Sequence, residues 1–219
     1  MSDHISRRSL LGGIFLLATG ATAEAAHPFY GGVDFVGDPK LIPPAESPVD
    51  FPIVHQSNLV PAKYRRQKVT YGTPALPNSI VVDPANRFLY FVLGNQQAIR
   101  YGVGVGREGF AWSGQAIIGL KRKWPRWLPP QSMVERDVRA ATWSNGMPGG
   151  PDNPLGARAL YLFANGIDTL YRIHGTNEPN SIGKAVSSGC IRMLNEDVAD
   201  LFDRVERGTH VVVLPAQSP

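Results

Sequence analysis

The chain has 219 residues, 43% of them hydrophobic, with 22 basic and 18 acidic side chains and a formal charge of +4. The hydrophobic share is that of an ordinary globular protein, and no charge pattern suggests nucleic acid as a partner. A single cysteine, Cys190, excludes an internal disulfide.

The N-terminus reads as a sorting signal over residues 1–26. Arg7 and Arg8 stand directly before the apolar run Leu10–Ala18, and small residues with an A-x-A shape follow at Ala23–Ala26. The paired arginines resemble a twin-arginine export signal, with cleavage expected near Ala23 to Ala26. The run is short of the ~20 residues that span a bilayer, so the chain is not expected to be membrane-spanning. Without the signal, roughly 190 residues remain, enough for one catalytic domain plus an extension.

Residues 27–77 show no sustained periodicity. Seven of the 19 prolines fall between Pro28 and Pro61. The stretch predicts an extended arm or linker, with Phe51, Ile53, Val54 and Leu59 available to pack on the domain. Lys63–Lys68 is the densest basic run, either a solvated segment or a contact with an anionic cell-wall polymer.

A domain over residues 78–215 begins with the strand run Ile80–Val82. The turn Asp83-Pro84-Ala85-Asn86-Arg87 and a second run, Phe88–Leu93, follow it. A third strand is expected over Ala98–Val105. Gly102, Gly104 and Gly106 have no following helix and no Lys-Ser/Thr pair, so they read as strand or loop glycines, not a phosphate loop. Lys121–Pro130 predicts a basic, proline-broken loop whose Trp124 and Trp127 either wall a substrate or pack beneath it. Met147–Gly156 is another Gly- and Pro-rich loop. Ala159–Phe163, the turn Asn165-Gly166 and Thr169–Ile173 predict a hairpin, which sets His174 at a strand end.

One helix is predicted after Arg192. Asn195 reads as its N-cap, Glu196 and Asp197 as its acidic first turn. Val198, Leu201, Phe202 and Val205 form its apolar face. His210–Leu214 is a last strand. The fold class is therefore mostly β, a β-rich α+β domain with one packed helix.

The chemistry concentrates in His174–Arg192 (HGTNEPNSIGKAVSSGCIR). Cys190 follows His174 by sixteen residues, in a stretch of small and turn-forming residues. A lone thiol beside an imidazole is the composition of a cysteine nucleophile and its base. Zinc would need three or four ligands, and His55, His174 and His210 are scattered, so no metal is expected. Papain-type enzymes place Cys before His, the reverse of this order.

These motifs resemble the L,D-transpeptidase family, also called the YkuD or ErfK type. The match rests on His174-Gly175-Thr176, Ile182-Gly183, Ser187-Ser188-Gly189-Cys190-Ile191-Arg192-Met193 and Asn195-Glu196-Asp197. The loops Asn153–Ala157 and Trp124-Pro125-Arg126-Trp127 add to it. One position departs: the family usually has His where this chain has Ser188.

The resemblance implies a YkuD-like β-sandwich or barrel-like domain, with Cys190 as nucleophile, His174 as base and the carbonyl of Gly175 as its orienter. The backbone N–H groups of Gly189 and Cys190 would hold the oxyanion. It further implies substrate contact by Arg192, Ser187, Ser188, Thr176, Tyr161 and Trp124. Arg192 would either clasp a carboxylate or brace the loop, and Ser187 either fixes the loop or is a turn residue. The implied reaction is acyl transfer from a peptidoglycan tetrapeptide stem, without metal or organic cofactor, in the periplasm or cell envelope. The acceptor would be another stem peptide, a lipoprotein or an outer-membrane protein. Peptidoglycan and cell-wall biogenesis, cell shape and carbapenem sensitivity follow by the same analogy. Two alternatives share the site: an L,D-carboxypeptidase or amidase-type hydrolase, and a non-catalytic wall-binding module.

Overall fold

The computed structural model describes residues 46–106, 112–187 and 189–215. The export-signal expectation and the first part of the arm lie outside these residues. Among the described residues, strands β1 (Gln67–Thr70), β2 (Ile80–Asp83), β3 (Phe88–Gly94) and β4 (Gln97–Gly102) lead into β5 (Val105–Gly106) and β6 (Gly114–Lys123). Helices α1 (Gln131–Val134) and α2 (Val138–Thr142) precede β7 (Arg158–Ala164) and β8 (Ile167–His174). Then come β9 (Ala185–Ser187), β10 (Ile191–Arg192), α3 (Asn195–Arg204) and β11 (His210–Val213). The mostly β expectation holds.

One mixed sheet carries the order β1-β4-β3-β2-β11-β6-β7-β8-β10, and β5 pairs with β9 in a small parallel ribbon. The β2–β3 turn closes because the Asp83 carboxylate accepts from the Asn86 backbone N–H at 3.0 Å and from its side-chain amide at 2.7 Å. Asn95 and Gln96 both hold positive φ (50° and 56°), the geometry a tight β3–β4 connection needs. β11 closes the middle of the sheet, parallel to β2 and antiparallel to β6.

The core lies between this sheet and α3. Ile80, Leu89, Tyr101, Ile118, Leu160, Leu162 and Ile173 are fully buried from the strands, and Val198 and Leu201 from the helix. Each such side chain contributes about 1.5–3 kcal/mol of burial. Val205, just beyond the last helical turn, joins them. Lys121 Nζ donates to the carbonyls of Phe202 and Val205, placing a cation on the negative end of α3.

Three local expectations change. Lys121–Lys123 end strand β6 and are not loop; Gly119, glycine-thin, obscured the strand's alternation. There β6 shifts register against β7, and a Cβ would stand 2.3 Å from the Phe163 ring. The segment after Trp127 forms two short helices. The Asp137 side chain caps α2 by accepting from the Arg139 and Ala140 backbone N–H groups. In α3, Leu194 is the N-cap and Asn195 the first helical residue, with no side-chain cap bond.

Residues 46–70 of the 27–77 arm pack on the domain. Trp124 Nε1 donates to Asp50 Oδ1 at 2.9 Å, and Phe51 meets the Trp124 ring edge-on at 5.3 Å. Val60 is buried with Ile182 and Leu194, whereas Val54 and Leu59 stay exposed. β1 pairs antiparallel with β4.

Candidate active site

The site is set by the register of two strands. β10 lies parallel to β8 with Ile191 beside Ile173 and Arg192 beside His174. Successive side chains on a strand alternate between faces. Ile173 and Ile191 take the core face and are buried there. His174 and Arg192 therefore take the opposite face, together with Arg172 and Cys190, one residue from the core-facing pair on each strand. Diagonal neighbours on adjacent strands are about 7–8 Å apart at Cα, a span two side chains can bridge.

That face opens into a cleft of about 630 Å³ lined by Cys190, His174 and Arg192, a size typical of small-molecule sites. Trp127, Met133, Ala140 and Trp143 form one wall, from the loop after β6 and helices α1 and α2. Leu170 and Val186 add apolar lining, and Asp152, Asn177 and Glu178 add polar groups. Cys190 lines this cleft and is partly exposed as a residue.

His174 is buried, and its Nδ1 lies 2.6 Å from the carbonyl oxygen of Gly175. A carbonyl only accepts, so Nδ1 carries the proton and Nε2 keeps its lone pair. Gly175 is itself fixed by its N–H on the Arg158 carbonyl. Burial pushes the imidazole down to about 4, with the Arg192 charge adding to it and the Gly175 hydrogen bond opposing. Burial pushes the Cys190 thiol up; a backbone hydrogen bond from Arg172 and the guanidinium charges of Arg172 and Arg192 pull the other way. Both shifts favour the neutral partners, so thiol and neutral imidazole are the resting pair.

Other positions divide. Arg192 lines the cleft and donates to Glu178 Oε2 at 2.9 Å, while its buried Nε has no hydrogen-bond partner. Gly189 has φ 131°, a conformation that suits glycine and not other residues. Ser187 contributes backbone to β9, and Ser188 lies outside the described residues.

Three expected substrate contacts do not line the cleft. Thr176 is buried, and its hydroxyl braces the turn by accepting from the Glu178 N–H at 3.0 Å. Tyr161 packs with Leu120, Ala159 and Phe163, with the Arg172 guanidinium 4.3 Å from its ring centre. Trp124 is buried at 2% exposure against Phe51 and Asp50, so only Trp127 of the pair reaches the cleft.

Two buried asparagines hold the site and had no sequence signal of that role. Asn195 Oδ1 accepts from the Ala157 N–H at 2.9 Å, beneath Gly156 and Gly175. Asn153 Nδ2 donates to the carbonyls of Pro125, Met147 and Pro148, tying the two cleft loops together. Among the described residues no group of three His, Cys, Asp or Glu side chains is placed to hold a metal ion.

The model of the L,D-transpeptidase catalytic domain, YkuD, matches residues 77–213. The chain is 37% identical over 139 residues to the probable L,D-transpeptidase ErfK/SrfK of Escherichia coli strain K12, covering 62% of this chain and 43% of that protein. It is 38% identical over 139 residues to the probable L,D-transpeptidase YbiS of the same strain, covering 60% and 43%. The match thus spans less than half the length of these relatives. A solved structure described as a probable carnitine operon oxidoreductase from Brucella melitensis is 52% identical, covering 71% of this chain and 97% of that one, with a TM-score of 0.50.

Proposed function

The chain belongs to the L,D-transpeptidase catalytic-domain family, and from that premise we propose that it transfers peptidoglycan acyl groups through a thioester on Cys190. The observation that carries the reading is the shared face of β8 and β10. It sets the only thiol and an imidazole with a free Nε2 on the floor of one open cleft.

The donor is a tetrapeptide stem whose third residue is diaminopimelate. His174 Nε2 takes the thiol proton as sulfur attacks the carbonyl at that residue's L-centre. The N–H groups of Gly189 and Cys190 receive the charge that builds on the carbonyl oxygen. The C–N bond to the terminal D-alanine breaks, and the leaving amine takes the proton back from His174. An amine then attacks the thioester, giving up its proton to His174, and sulfur departs as the new amide forms. A stem-peptide amine gives a 3→3 cross-link; a protein amine gives attachment to the wall. Arg192 offers a guanidinium to a substrate carboxylate once Glu178 yields it.

Export belongs to the same proposal. It rests on the Arg7-Arg8 signal and on a substrate outside the cytoplasm. N-terminal sequencing of protein from the cell-envelope fraction tests it: a start near Ala23 to Ala26 supports export, an intact Met1 refutes it.

The catalytic test is intact mass after mixing purified protein with disaccharide tetrapeptide. A thioester adduct that disappears in Cys190→Ala, together with peptide dimers, supports transfer. Free tripeptide alone assigns hydrolysis, and an unmodified protein with unchanged peptide assigns a binding module.

A further inference from the structure

Arg172 occupies the cleft face of β8 two residues before His174, and continuing the β8–β10 register by one residue sets it beside Cys190. Unlike Arg192, it is not free to reach into the cleft. Its Nη1 and Nη2 donate to the two oxygens of Asp168 at 2.6 and 2.7 Å. Nη1 also donates to the Tyr171 carbonyl, and the guanidinium lies over the Tyr161 ring. Asp168 is buried and further held by accepting from the Leu170 N–H at 2.8 Å. The result is a fixed, largely desolvated ion pair on the same face of β8 as His174, with its cationic end over the Tyr161 ring.

We propose that Arg172 is a positioning residue for Cys190: its immobilised charge favours the sulfur anion, and Asp168 sets how much of that charge the sulfur feels. The inference rests on the reading of Cys190 as nucleophile. When the S–H bond breaks and the proton passes to His174, the electron pair left on sulfur falls in the field of a guanidinium that need not reorganise. An arginine suits this because it stays charged when buried and its planar fork is locked by one carboxylate. The backbone hydrogen bond and charge of Arg172 both favour the thiolate, and the Asp168 carboxylate disfavours it more weakly.

Two substitutions that break the same ion pair should then act in opposite directions. Iodoacetamide, which forms an S–C bond with loss of iodide, reads the thiolate at the sole cysteine by intact mass. Arg172→Gln should slow alkylation at neutral pH by about tenfold and move its pH profile upward. Asp168→Asn, which keeps an acceptor for Leu170, should speed it and move the profile downward. Arg172→Lys should restore the profile in part. Shifts in the same direction, or no shift in Asp168→Asn, overturn the proposal. Should Arg172→Gln not fold, the direction of the Asp168→Asn shift alone decides. Opposed alkylation shifts with no turnover of stem peptide would keep this inference and defeat the transferase reading.

Discussion

His174 Nδ1 lies 2.6 Å from the carbonyl oxygen of the residue that follows it, Gly175. The imidazole is thus oriented by the backbone of its own strand end, with no carboxylate among the described residues hydrogen-bonded to it. Burial holds the imidazole down to about 4, so it stays neutral and base-competent through the physiological range. The sign follows: kcat/KM should fall only as pH drops through about 4, where protonation removes the Nε2 lone pair. An acid limb near the ordinary histidine value in a steady-state pH profile would contradict this. His174→Gln should lower kcat by about 10²–10⁴.

Asn195 supplies an acceptor beneath the His174–Gly175 corner. Asn195→Ala leaves the buried Ala157 N–H unsatisfied and should cost about 1–3 kcal/mol in denaturant unfolding. Turnover should fall with it, because a Cβ on either Gly156 or Gly175 would stand 2.2 Å from Asn195 Oδ1 and the corner is built around that atom. Asn195→Asp, which keeps an acceptor, should retain more of both.

Glu178 competes for Arg192. The pair is partly exposed and so is worth about 0–1 kcal/mol. Glu178→Gln should lower KM for a carboxylate-bearing stem peptide by about fivefold at most, with kcat little changed, and Arg192→Gln should raise KM. An unchanged KM in both variants would make Arg192 a loop brace.

Asp197 is buried at the start of α3, and desolvation pushes its carboxyl up to about 7, with Glu196 and Asp200 adding to burial and Arg66 opposing. A folded value above the unfolded one means the folded state holds the proton more tightly. The stability that this supplies is present at acid pH and lost as pH rises through about 7. Asp197→Asn should therefore raise the unfolding free energy at pH 8 relative to the native chain, by on the order of 1–2 kcal/mol, and leave it nearly unchanged at pH 4. Calorimetry at the two pH values checks it.

What could be read from sequence was local. Ile80–Val82 and Ala159–Phe163 fill strands with continuous apolar runs because both their faces are covered, whereas Phe88–Leu93 is apolar throughout although Phe88 and Tyr90 are half-buried and Leu93 is exposed. The β7–β8 turn announced itself as Asn165-Gly166, both at positive φ. Cys190 and His174 stood out as candidates because their residue types are rare and their spacing is distinctive. What escaped depends on partners far away in the chain. Trp124 is interior because Asp50, 74 residues earlier, accepts its N–H. Asn195 stands where a cap would, yet its side chain reaches Ala157, 38 residues back. Helices α1 and α2 span four and five residues and bury only Ala140, too little to write a periodic face. The cleft wall they form was therefore invisible in the sequence.

The strand contributed by Gln67–Thr70 has a practical consequence for anyone trimming the protein to its family boundary. Cutting at Pro77 would delete β1 and strip the β4 edge to unpaired backbone donors and acceptors, a template for sticking to other copies. It would also take away the lid over Trp124 and leave Val60's pocket beside Ile182 and Leu194 empty. A shortened version should precipitate or form strand-paired aggregates, whereas one that starts before Glu46 should behave as a monodisperse species in gel filtration.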